Sequence, residues 1–119
     1  MVKFPAINSY RYSAYNNSEF LKITLDGHYQ IIYTDYHKKG IQFIIHDDTN
    51  GNDLFVVHLD NHPDWSTLAI NTVIPITVDN GLNFARIKLY LKAVDDADAI
   101  FSGTRNSTFY IKYLNSFAQ

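Results

Sequence analysis

Five histidines (His28, His37, His46, His58 and His62) and a run of carboxylates at Asp47, Asp48 and Asp53 are the first side chains to test for chemistry. If residues 41–47 and 53–59 form a hairpin around a loop near residue 50, position 46 faces 54 and position 58 faces 42. The imidazoles of His46 and His58 then lie roughly 13 Å apart along the ladder. Zinc needs its ligand atoms about 2 Å from one point, so that pair does not chelate. The segment Asp47-Asp48-Thr49-Asn50-Gly51-Asn52-Asp53 has the alternating oxygens of a calcium loop. Its register fails as an EF-hand: with Gly51 as the sixth position, the first is His46 and the twelfth Val57. A polar hairpin loop using Asn50-Gly51 for positive φ is the reading adopted. A calcium site of another geometry, here or at Asp95, Asp96 and Asp98, is the alternative left open. The chain has no cysteine and no Gly-x-Ser-x-Gly elbow, and its five glycines stand singly, so neither a nucleophile motif nor a phosphate loop is present. Spacing alone does not place the facing carboxylates of a glycosidase. No enzyme is expected.

Aromatic residues give the stronger signal. Trp65 follows Asp60-Asn61-His62-Pro63-Asp64, which cannot continue a strand interior because Pro63 lacks an amide donor. Tyr10, Tyr12, Tyr15, Tyr33, Tyr36, Tyr90, Tyr110 and Tyr113 are more tyrosines than a core of this size needs. Sugars present apolar C–H faces rimmed by hydroxyls, so flat rings beside Asp, Asn and Arg suit them. The competing role for Trp65 is to anchor the core.

The elements that must position these residues are strands. In 119 residues there are eleven Asp but one Glu (Glu19) and one Met, so strong helix formers are scarce. Ile, Val and Thr supply 27 residues and the aromatics 18, which suits half-buried pleated surfaces. The length is one domain's worth and buries about two-thirds of the unfolded surface, enough for a core without disulfides. A net charge of −2 gives no general attraction to nucleic acid or to an anionic membrane, and no apolar run is long enough to span one.

Along the chain, residues 1–17 read as an arm or an irregular first strand, and residues 18–119 as the domain. Phe20 to Leu25 alternates and ends at Asp26-Gly27, which suits a type I′ turn into a partner strand from His28 to about Asp35. Lys38-Lys39-Gly40 turns into Ile41–Asp47, and Asp53–Leu59 follows the polar loop. Thr72–Val78 carries Pro75, which confines it to an edge or a bulge. In Asn83–Ala93, Ala85, Ile87, Leu89 and Leu91 share the core face while Phe84, Arg86, Lys88, Tyr90 and Lys92 share the wet one. Ile100-Phe101 and Thr108–Leu114 complete about seven to nine strands. The expected fold is a single antiparallel β-sandwich.

Five short elements stand in an order that resembles the galactose-binding-like, jelly-roll β-sandwiches, in particular carbohydrate-binding modules of families six and thirty-five. They are Gly27-His28-Tyr29-Gln30-Ile31, Asn50-Gly51, Trp65, Gly81-Leu82-Asn83 and Tyr110-Ile111-Lys112-Tyr113-Leu114. The resemblance implies a ligand held in loops at one end of the sandwich, by Tyr36 in the loop after the Gly-x-Tyr strand, Trp65, and Asn106 before the last strand. The rings stack on the sugar and Asn106 hydrogen-bonds its hydroxyls. Lys112 stands where that family usually has an acidic residue helping to hold calcium, so no metal or cofactor is expected. The leading expectation is therefore a non-catalytic module that binds a glycan, outside the cell or on a cell or virion surface. The second is a viral or phage structural or receptor-binding subunit that self-assembles or binds a protein partner, with the arm adding a strand to a neighbour. Deleting residues 1–15 would abolish assembly on the second reading and change little on the first.

Overall fold

A computed structural model of the chain describes residues 2–37, 41–59, 66–78, 81–93 and 108–117. Among them there are nine strands and no helix: β1 (Ile7–Asn8), β2 (Tyr12–Ala14), β3 (Leu21–Ile23), β4 (Gly27–His37), β5 (Ile41–Asp47), β6 (Asn52–Leu59), β7 (Ser66–Ile76), β8 (Ala85–Ala93) and β9 (Thr108–Asn115). All pairings are antiparallel. One sheet has six strands in the order β1-β2-β3-β8-β5-β6, and the other three in the order β7-β4-β9. The protein is an all-β, two-sheet sandwich.

Strand alternation builds the core between the sheets. From the six-stranded sheet come Leu21, Ile23, Phe43, Ile45, Ala85, Ile87 and Leu89, all fully buried. Tyr29, Ile31 and Tyr33 of β4 meet them, with Leu68, Ile70, Ile74 and Ile76 of β7 and Ile111 of β9. Tyr33 stacks on Phe43 across the interface, ring centroids 5.6 Å apart. Pro75 sits opposite His28 in β7, an edge strand, as a residue without an amide donor requires. The strand that carries it starts earlier than its alternation suggests, at Ser66 rather than Thr72, while β8 starts at Ala85 rather than Asn83. The expected strand at Ile100-Phe101 and the turn at Lys38-Lys39-Gly40 lie outside the described residues.

The expected hairpin across Asp26-Gly27 does not form. β3 pairs with β2 and β8, whereas β4 belongs to the other sheet, so the chain crosses the sandwich over Thr24–Asp26. Asp26 is not in a positive-φ conformation; its carboxylate instead accepts the Val78 amide at 2.5 Å, tying the crossing to the end of β7. Gly27 is required by close approach: a Cβ there would lie 2.5 Å from the Asn115 carbonyl oxygen and 2.6 Å from the Tyr113 ring.

Residues 2–17 lie on their own chain. Val2 donates its amide to the Leu89 carbonyl of β8 at 2.9 Å, and Phe4 bridges Ser18. The Phe4 side chain is buried to 1% exposure, its ring edge-on to Phe109 of the opposite sheet at 5.0 Å. β1 and β2 then extend the six-stranded sheet beyond β3.

Candidate functional site

The outward faces decide what the surface can bind. On β3 and β8 the buried Leu21, Ile23, Ala85 and Ile87 leave Lys22 and Arg86 pointing away from the core, directly opposite one another in the ladder. Ser13 of β2 is opposite Lys22, and Asn8 of β1 is opposite Ser13, so one row of side chains crosses four strands. Phe20 and Phe84 flank the cationic pair on the diagonals. The Lys22 ammonium lies 5.0 Å from the centre of the Phe84 ring, and the Arg86 guanidinium lies 5.4 Å from both ring centres. Diagonal neighbours on paired strands are within reach for aromatic and long side chains, which is what this register supplies.

These residues line an open cleft of about 700 Å³. Its far wall is the β1–β2 ribbon, and Tyr15 stands at the rim with 85% of its surface exposed. A tight turn sets that position: the Ser18 amide donates to the Tyr15 carbonyl at 3.0 Å, and Asn17 takes the left-handed conformation (φ 64°). Asn tolerates that region better than most residues. The Ser18 hydroxyl fixes the next step, accepting the Phe20 amide at 3.2 Å. On the other side, Arg86 is anchored through its backbone, its amide donating to the Thr49 hydroxyl and its carbonyl accepting the Asp48 amide, both at 2.8 Å.

Of the residues expected to bind sugar, the described one, Tyr36, lies elsewhere. Tyr36 belongs to β4, not to a loop, and pairs with Thr67 on the outward face of the three-stranded sheet, on the opposite side of the sandwich from the cleft. Tyr36 is 42% exposed, and its amide donates to the buried Asp35 carboxylate at 2.8 Å. β7 starts opposite His37 and β9 opposite Thr34, so both begin toward the Tyr36 end of β4. Trp65 and Asn106 lie outside the described residues. Of the many tyrosines, Tyr33 is core and Tyr12 and Tyr113 pack against the core, whereas Tyr10, Tyr15, Tyr36 and Tyr110 are exposed.

The histidine and carboxylate candidates are engaged locally. His58 faces Gln42, as the hairpin reading expects. His46 faces Asp53 rather than residue 54, because the ladder slips between Ile45 and His46. Its Nδ1 lies 2.7 Å from the Asp53 carboxylate. Asp47 is 3% exposed and folds the loop around itself, accepting the amides of Thr49 and Asn50 and the Asn50 side-chain amide. Asp48 pairs with Lys88 at 3.4 Å. Among the described residues no group of three or more His, Asp or Glu converges on a point that could hold a metal ion. Asp95, Asp96 and Asp98 lie outside the described residues.

Sequence reasoning missed the cleft, although its signals were present. Alternation sets Phe84 and Arg86 on the wet face of one strand and Phe20 and Lys22 on one face of another. What the alternation leaves out is that these strands are neighbours. Compared with protein-family models and with curated proteins, the chain matches none.

Proposed function

We propose that the chain is a non-catalytic carbohydrate-binding domain and that its sugar lies in the cleft over β1, β2, β3 and β8. The observation that carries this reading is the pairing of two outward phenyl rings, Phe20 and Phe84, with a neighbouring row of amide and hydroxyl groups from Asn8 and Ser13. Phenyl rings offer apolar surface to the C–H groups of a sugar, and short polar side chains receive its hydroxyls. The volume is that of a small-ligand cleft, and the β1–β2 ribbon gives it a wall.

The test is a broad glycan array with wild type, Phe84→Ala and Trp65→Ala. Phe84 is outside the core, so its variant is expected to keep the wild-type circular dichroism spectrum and to lose glycan binding. Loss with Trp65→Ala alone would move the site to the loop residues that the family resemblance implies. A blank array with folded wild-type protein would overturn the reading. Solution mass measurement would then test the assembly reading.

A further inference from the structure

Lys22 and Arg86 form a like-charge pair at directly opposed positions of an antiparallel ladder, where such pairs are unfavourable. Both side chains are exposed, and among the described residues neither has a carboxylate within 4.0 Å. The acidic groups nearby are committed elsewhere: Asp48 to Lys88, Asp53 to His46 and Glu19 to Lys3. The phenyl rings of Phe20 and Phe84 hold the two cations over one stretch of cleft floor, and ring faces attract cations without neutralising them. Two positive charges without a counter-charge among the described residues, beside a row of neutral hydrogen-bonding groups, make a receptor for an anion carried on a polar framework.

We infer that the glycan is anionic, and that a carboxylate or sulfate on one sugar sits between Lys22 and Arg86 while the remaining hydroxyls reach Ser13 and Asn8. This rests on the reading of the cleft as a sugar site and narrows its ligand class. The guanidinium offers parallel N–H donors to two oxygens of such a group, and the ammonium adds a point charge from the facing strand. The order of groups across the sheet, Arg86, Lys22, Ser13 and Asn8, covers three strand spacings, or about 14 Å, so a short oligosaccharide can lie across the strands with its charged end over β8. The chain's net charge of −2 favours a discrete acidic sugar over the extended phosphate lattice of a nucleic acid, which is held by many cations at once.

Calorimetric titration tests this with four defined polymers and a control: oligogalacturonate and its methyl ester, dextran sulfate and unmodified dextran, and single-stranded DNA. Lys22→Gln and Arg86→Gln are compared with wild type, and Lys112→Gln on the other sheet serves as a charge control. Binding of oligogalacturonate or dextran sulfate, weakened at least tenfold by either cleft substitution and by added salt but not by Lys112→Gln, is the expected result; which of the two binds identifies carboxylate or sulfate. Three outcomes overturn the inference. The neutral partners bind as tightly as the charged ones and the cleft variants bind them unchanged, in which case the sugar reading survives alone. Lys112→Gln weakens binding as much as the cleft variants, or DNA binds as tightly as either glycan, which makes the attraction non-specific. No glycan of any charge binds here or on the array, in which case both readings fall together.

Discussion

Tyr29 and Tyr33 alternate with Ile31 on the inner face of β4, and burial raises the pKa of both phenols above the ordinary tyrosine value. For Tyr33 the Asp35 carboxylate, which accepts its hydroxyl at 2.9 Å, adds to the rise. For Tyr29 the neighbouring Tyr113 adds to it, while the hydroxyl donates to the Leu25 carbonyl at 2.6 Å. The native state therefore keeps phenolic protons that the unfolded chain releases near pH 10.0. It binds more protons than the unfolded state there, so the stability gained from these groups is complete below that pH and falls as pH rises toward the native values. Tyr29→Phe removes one of the two groups. It is expected to cost about 1 kcal/mol at pH 7 through the unpaired Leu25 carbonyl, and to flatten the decline of stability above pH 10. Urea unfolding at a series of pH values measures both; an unchanged slope above pH 10 would show that Tyr29 ionises without unfolding.

At the scale of elements, the crossing at Asp26-Gly27 governs what could be read in advance. Asp-Gly between two alternating stretches is a sound hairpin signal, and here it is overridden by tertiary contacts: Asp26 caps the Val78 amide, and Gly27 packs against the Asn115 carbonyl. Gly27→Ala would drive a Cβ into that carbonyl, which belongs to the backbone and has little room to yield. The expected cost is about 2–3 kcal/mol, read as a lower urea midpoint with an unchanged slope. A variant as stable as wild type would show that the β4–β9 bulge beside it can open without penalty. The same crossing explains why the cleft was not legible. Local alternation correctly marked the faces of β8 and of Phe20–Ile23, because period two is a property of each strand by itself. Pairing Leu21 with Ile87 is a long-range choice, and only that pairing sets Lys22 against Arg86 and joins Phe20 to Phe84. The β5–β6 hairpin was readable because its turn is short and polar; only the bulge after Ile45, which moves His46 onto Asp53, was not.

For the whole molecule, the first residues count as part of the core. Phe4 fills the space between the sheets against Phe109, Val2 continues the pairing of β8, and the Lys3 ammonium meets the Glu19 carboxylate at 2.8 Å. Removing residues 1–15 would thus take out a buried aromatic and two strands, and would unsettle the fold on either functional reading instead of leaving it unchanged. Phe4→Ala isolates the packing contribution, expected at about 3–5 kcal/mol with a matching fall in melting temperature. A loss below 1 kcal/mol would mean that the sandwich closes without this ring. The order of strands also sets a timetable for the chain leaving the ribosome. β4, the middle strand of its sheet, is made before both of its neighbours, gaining one with β7 and the other only with β9. Val2 likewise waits for Leu89. Until Asn115 has emerged, one edge of β4 stays unpaired, so this sandwich closes only once its last strand is made, and its apolar strands must be kept from one another's copies in the meantime.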